Sequence, residues 1–327
     1  MTRTTSVEPG FDPSRPASVK SRVFAFGLGV TVRPLLDIAH RSNLVVKAAR
    51  PVIGKVASFQ QTASGIVVSP LRSNGIRGLW MENPDPEAAG RVILYLHGGG
   101  FVVCSPQTHK GLVSRLAREA KASALLIDYR LAPEHPFPAA ADDALTAYQM
   151  LLTRGYDPAS ITLAGDSAGG HLVSRLLADL DERGLPMPAG ALMLSPFLDL
   201  TAKLAHAGDK RRHDPFIPPH GAEWAGKSYA GRLRTNDHHL DVLTKDKRRW
   251  PPVMIQVGDT ECLLEDSERL AASLQKAGVP VALQVWPGQV HVFQAFPSCT
   301  SEANPAVREA GGFLRTVSGL GAAAQTA

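Results

Sequence analysis

Residues 161–170 read Ile-Thr-Leu-Ala-Gly-Asp-Ser-Ala-Gly-Gly. An apolar run that enters a Gly-x-Ser-x-Gly turn and leaves it as a helix has the form of a nucleophile elbow. The turn is too tight for side chains beside the serine, so glycine is required at both ends, Gly165 and Gly169. Ser167 is thereby lifted clear of a sheet, with its backbone N–H turned toward whatever it attacks. Five residues with three fixed recur by chance, so the rest of the chain has to decide.

Upstream, the strand-like run Val92–Leu96 leads into His97-Gly98-Gly99-Gly100-Phe101. Acyl transfer passes through a tetrahedral oxyanion, and its barrier falls when N–H donors already point at that oxygen. One such donor contributes about 3–4 kcal/mol. Three consecutive glycines leave peptide N–H groups unshielded. The reading predicts an oxyanion hole built from the N–H groups of Gly98, Gly99 and Ala168. Gly100 and His97 support that loop, and Asp166 anchors it by hydrogen bonds.

Downstream, a strand-like run to Val257 opens into the acid-bearing stretch Gly258–Asp266, then an amphipathic helix closed by Gly278. A further strand, Val281–Trp286, is followed by a loop carrying His291. The order serine, acid, histidine is that of one serine-hydrolase architecture and not of the others. Three acids, Asp259, Glu261 and Asp266, compete for the middle place. The expected catalytic set sits just past strand carboxyl ends, where parallel sheets bind ligands.

Together with Asp128-Tyr-Arg-Leu-Ala-Pro-Glu-His-Pro-Phe-Pro138, Asp142, Asp143 and Ser195-Pro-Phe-Leu-Asp199, these blocks resemble the hormone-sensitive-lipase-like esterases of the α/β-hydrolase fold. The resemblance covers roughly residues 60 to 315. It implies a serine carboxylesterase acting on short- to medium-chain esters through an acyl-enzyme, with a helical cap and no metal or organic cofactor. Many relatives have Asp-Pro-Leu where this chain has Glu261-Cys262-Leu263, so the resemblance makes Glu261 the partner of His291. Cys104 stands where relatives commonly have glycine. Glu134, His135, Asp143 and Asp199 read as structural ties, and Trp80, Phe216 and Trp224 as candidate pocket walls. The same triad would also serve aryl esters, acetyl esters, lactones or amides. A non-catalytic binding protein on this fold is the alternative of another class. Relatives are often dimers through sheet-edge and helix contacts, so a homodimer stays open.

The 327 residues, 44% of them hydrophobic and 20% charged, suit one large globular α/β unit with a substantial core. A net charge of +5 is mild, and nothing resembles a nucleic-acid-binding module. The basic clusters at 210–213 and 245–249 read as solvated loops. Three cysteines, Cys104, Cys262 and Cys299, lack metal-ligand spacing and are read as free thiols in a reducing cytoplasm. The apolar run Val23–Val30 is too short to span a membrane and lacks a cleavage signal, though it could form a surface-seeking helix.

No internal repeat is found. Strands alternating with helices from Val92 onward predict a mostly parallel central sheet flanked by helices. Strands are expected at 92–96, 124–127, 161–165, 191–194, 253–257 and 281–286, and helices at 108–121, 139–153, 168–183 and 265–276. Two early strands, near 66–69 and 76–81, are separated by a turn-rich Pro70–Gly75. The chain divides into an N-terminal tail and cap helices (1–56), core (57–200), second cap segment and connections (201–250), core (251–317) and a disordered tail (318–327). Residues 1 to about 18 are expected to be mobile, and the first cap helices to break at Pro34 and Pro51.

Overall fold

The computed structural model describes residues 11–39, 43–57 and 61–324. Eight strands form one sheet: β1 (Val67–Ser73), β2 (Ile76–Glu82), β3 (Val92–Leu96), β4 (Ser123–Ile127), β5 (Ile161–Asp166), β6 (Gly190–Leu194), β7 (Val253–Gly258) and β8 (Val281–Trp286). Their order is β1-β2-β4-β3-β5-β6-β7-β8. β1 and β2 pair antiparallel, as do β2 and β4, and every pairing from β4 to β8 is parallel.

The central strands are apolar and buried along their whole length because helices cover both faces. Alternate side chains go to opposite layers. Val92, Leu94 and Leu96 join a core shared with α4 (Ala139–Thr153), α5 (Ala168–Glu182) and α8 (Leu264–Lys276). Ile93 and Tyr95 join a second core with α3 (Pro106–Ala120) and α9 (Ala303–Ala324).

Four helices make the cap: α1 (Val19–Ala39), α2 (Asn43–Ala57), α6 (Lys203–Arg212) and α7 (Pro219–Ala230). α7 packs against both α1 and α6.

The structure departs from the sequence expectations at several places. Helices α1 and α2 run through Pro34 and Pro51 instead of breaking there. Both prolines stand on the solvent side, where the carbonyl freed four residues earlier can be hydrated. The expected turn from Pro70 is strand as far as Ser73, and the reversal is only Asn74-Gly75. β1 is the outermost strand, where one side makes no ladder bonds and proline is tolerated.

The tail expected to be disordered from 318 is the end of α9, which holds its helix to Ala324, with Val317 and Ser318 buried. Finally, residues 11–18 are pinned to the core. The Phe11 ring lies 5.1 Å from that of Trp286, and Ser18 N donates to Glu302 Oε1 at 2.7 Å. Residues 1–10 lie outside the described ones.

Candidate active site

β5 delivers Ser167 directly into α5. The serine adopts φ 52, ψ −119, a backbone conformation that costs energy for a residue with a side chain and persists only where the surroundings enforce it. Its N–H donates to Leu194 O at 2.9 Å, and its carbonyl accepts from Phe197 N at 3.0 Å. A Cβ on Gly169 would lie 1.9 Å from Leu96 O, so only glycine lets the helix start this close to β3. Of residues 161–170, Ser167 alone is not fully buried.

Since β5, β6, β7 and β8 are successive neighbours, the residues that follow them line one edge: Ser167, Ser195, Glu261 and His291. His291 Nδ1 is 2.8 Å from Glu261 Oε2. The carboxylate can only accept, so Nδ1 carries the proton and the neutral ring keeps its lone pair on Nε2. Glu261 is itself fixed, its Oε1 accepting from Ser195 Oγ at 2.7 Å and Gly258 N at 2.6 Å. Ser195 Oγ in turn accepts from Val292 N at 3.1 Å, which ties the acid loop to the histidine loop.

Burial would lower the proton affinity of His291. The Glu261 hydrogen bond and charge, with Asp214 and Asp166 behind them, outweigh that and hold the imidazole above its usual range. The two competing acids are engaged elsewhere. Asp259 accepts from Gly288 N at 2.6 Å. Asp266 accepts from Leu198 N and Asp199 N, each at 2.7 Å, and burial pushes its carboxyl up to about 7.

The glycine loop corrects one expectation. Gly98 N–H donates to Asp166 Oδ1 at 3.0 Å and is therefore spent. Asp166 also accepts from Tyr95 OH at 2.8 Å and lies 3.2 Å from His109 Nε2. Burial alone would raise its proton affinity, but the His109 and Tyr95 contacts leave it below the usual carboxylate range. Gly99 and Gly100, both at positive φ, make no N–H hydrogen bond among the described residues. With Ala168 N–H at the open N-terminus of α5, they form the set of spare donors.

His97 serves the loop through its backbone neighbour, Nδ1 donating to Gly98 O at 2.7 Å while the ring stacks on Tyr129 at 4.2 Å. Burial, with His109 close by, pushes His97 down to about 3, so it stays neutral. Cys104 packs on Gly99, where an added Cβ would meet its Sγ at 2.9 Å, and burial raises its thiol to about 12. All three cysteines are free.

The cap closes over this edge through polar ties that the sequence reading missed. Buried Asp214 accepts from Cys262 N at 2.9 Å, next to Glu261, and from Phe216 N at 2.7 Å. Its charge adds to the pull on His291. The sequence marks Ser195 only as part of its block, whereas its positive φ and its place after β6 mark it as built for a contact.

Among the candidate walls, Phe216 lies 6.2 Å from the His291 ring. Trp224 packs with Val46, Val102 and Ala132, between cap and glycine loop. Trp80 sits instead on Tyr156, 6.3 Å away, as packing. Glu134 pairs with Arg50 and Lys47 of α2, Asp143 with Arg130, and Asp199 receives Leu204 N at the start of α6. His135 N donates to Leu131 O at 2.9 Å. Among the described residues, two groups could offer metal ligands, His206–His220–Glu223 and Asp237–His238–His239, and neither includes a residue of the site.

Residues 93–295 match the family model described as alpha/beta hydrolase fold. The chain is 38% identical over 232 residues to an acetyl-hydrolase of Streptomyces hygroscopicus, covering 71% of this chain and 78% of that protein. It is 34% identical over 323 residues to the carboxylesterase/phospholipase LipF of Mycobacterium tuberculosis, covering 91% and 82%. The crystal structure of the esterase EstE5 soaked with p-nitrophenyl butyrate is similar at a TM-score of 0.84 and 34% identity, covering 92% of this chain and 99% of that one. A hormone-sensitive lipase from a metagenome library matches at 0.84 and 32% identity, covering 93% and 100%.

Proposed function

From the premise that this chain belongs to the α/β-hydrolase fold family, among its hormone-sensitive-lipase-like esterases, we propose that Ser167, His291 and Glu261 hydrolyse small carboxylic esters through an acyl-enzyme. The observation that carries the reading is the Glu261–His291 hydrogen bond beside a strained, accessible serine with spare N–H donors around it.

Ser167 has an alcohol's proton affinity and needs a base during attack. Nε2 of His291 takes that proton and later gives it to the leaving alkoxide. Glu261 holds the tautomer and stabilises the imidazolium without becoming protonated. The N–H groups of Gly99, Gly100 and Ala168 hold the oxyanion. Water then enters, and the same steps release the acid. The activities named for the relatives, acetyl-hydrolase and carboxylesterase/phospholipase, favour acyl esters of small or lipid alcohols. The free thiols are consistent with a reducing cytoplasm.

Ser167→Ala is expected to fold and to lose ester hydrolysis by several orders of magnitude, as serine triads do. A p-nitrophenyl ester series of rising acyl length measures this in the native chain and the variant together. Native-like turnover in the variant refutes the reading. A native chain that neither turns over any ester nor reacts with a covalent serine probe would point to the non-catalytic binding protein.

A further inference from the structure

Nine large apolar side chains stand exposed among the described residues, and seven of them lie on α1 and α2. On α1, Val19, Val23, Phe26 and Val30 recur at i, i+4, i+7 and i+11, which makes one stripe along the helix. Phe26 is 72% exposed. Beyond Pro34 the exposed apolar positions continue as Leu35 and Ile38, and Val45 adds to them from α2.

Packing does not require this stripe. The opposite side of α1, with Phe24, Ala25, Leu28 and Val32, already fills the contact with Trp286, Val290 and Phe293 on either side of His291. Soluble monomers rarely leave a contiguous apolar patch of this kind uncovered. The charged side chains beside the Val19–Val30 stripe, Lys20 and Arg22, are exposed and cationic, and the one carboxylate of α1, Asp37, is half-buried beyond Pro34.

We infer that α1 is an interfacial helix whose outer face adsorbs to an anionic lipid surface. Apolar side chains enter the acyl boundary while the flanking cations meet the headgroups. No helix among the described residues is long and apolar enough to cross a membrane, so the helix would lie in the surface plane. Since α1 rests directly on the histidine loop, adsorption would bring the cap edge against the lipid, where membrane-dissolved esters could enter. That consequence, but not the adsorption, rests on the esterase reading.

The test uses the full chain carrying Ser167→Ala, so that binding is read without lipid turnover. It is sedimented with vesicles of phosphatidylcholine alone and of phosphatidylcholine with an equal part of phosphatidylglycerol. Binding to the anionic vesicles is expected, falling with salt. Phe26→Asp with Val30→Asp should weaken it more than tenfold. Lys20→Gln with Arg22→Gln should weaken it by about fivefold per charge removed. In the native background these substitutions should leave hydrolysis of water-soluble p-nitrophenyl acetate unchanged. Protein that stays in solution with anionic vesicles overturns the proposal. So does light scattering that finds a dimer which Phe26→Asp dissociates, since a second copy would then own the face.

Discussion

Glu261 and Asp259 stand two residues apart after β7, yet only Glu261 reaches the imidazole, because Asp259 is held by the backbone of Gly288. Glu261→Gln is therefore expected to cost about 10⁴-fold in kcat, the scale seen when a triad acid becomes an amide. Asp259→Asn should cost far less, and the reverse ranking on one ester would exchange their roles.

The pH profile follows from the same bond. A base must be neutral to accept the serine proton, and His291 is held above the usual imidazole range, near 6.5. Activity should thus fall on acidification with a midpoint above about 6.5. Stability runs the other way. The pair's contribution is full below the unfolded imidazole pKa and fades as pH rises through the folded one. Removing the carboxylate leaves burial as the main influence, so the residual activity of Glu261→Gln should keep its acid limb at lower pH. Stopped assays across pH 5 to 9 read both profiles.

The placing of the proposed triad was more legible than which N–H is spare. The serine, acid and histidine follow strands in a fixed order. The commitment of Gly98 to Asp166 depends on a contact across 68 residues that no local pattern records.

Among the elements, α9 shows where sequence reading lost its grip. Its four glycines, Gly311, Gly312, Gly319 and Gly321, lower its helix propensity, each by about 1 kcal/mol against alanine. Tertiary packing overrides that propensity. A Cβ at Gly311 would meet Glu119 Cβ at 2.4 Å, so glycine is what lets α9 lie close on α3. The buried face of α9, with Val307, Ala310 and Leu314, then completes the second core. Leu314→Ala should lower stability by about 2–5 kcal/mol, the usual cost of a core leucine truncation, with an unchanged urea m-value. A loss below about 0.5 kcal/mol would show that the end of α9 frays in solution.

The strands from β3 to β7 were legible for the opposite reason. A parallel strand buried on both faces is a nearly unbroken apolar run, and turn residues bound each one. Cap helices lack that signature because only one side packs, and α1 exposes apolar residues on its other side.

At the scale of the molecule, two polar ties fasten α1 across the core and cap. At its start, Glu302 accepts from Ser18 N and from Ser21 Oγ, at 2.7 and 2.5 Å. Toward its end, Arg33 clasps Asp209 of α6 at 2.8 and 2.9 Å and donates to the carbonyl of Asp214. Asp214 continues the line to Cys262 N, beside the acid. Breaking the Arg33 tie should loosen the cap before it disturbs the triad, because Glu261 keeps Ser195 and Gly258 as its own supports. Arg33→Met preserves length and removes the charge, leaving the Asp209 carboxylate, among the described residues, with the Asp214 N–H at 2.8 Å. Local opening has its own free energy, distinct from global unfolding, so protease cleavage within residues 19–39 should speed up by about tenfold. Over the same substitution KM should rise while kcat holds, since in the proposed mechanism the cap shapes binding and the triad performs the chemistry. If kcat falls and KM stays, the line from Arg33 through Asp214 governs the acid loop itself, and the cap is a working part of the triad's support.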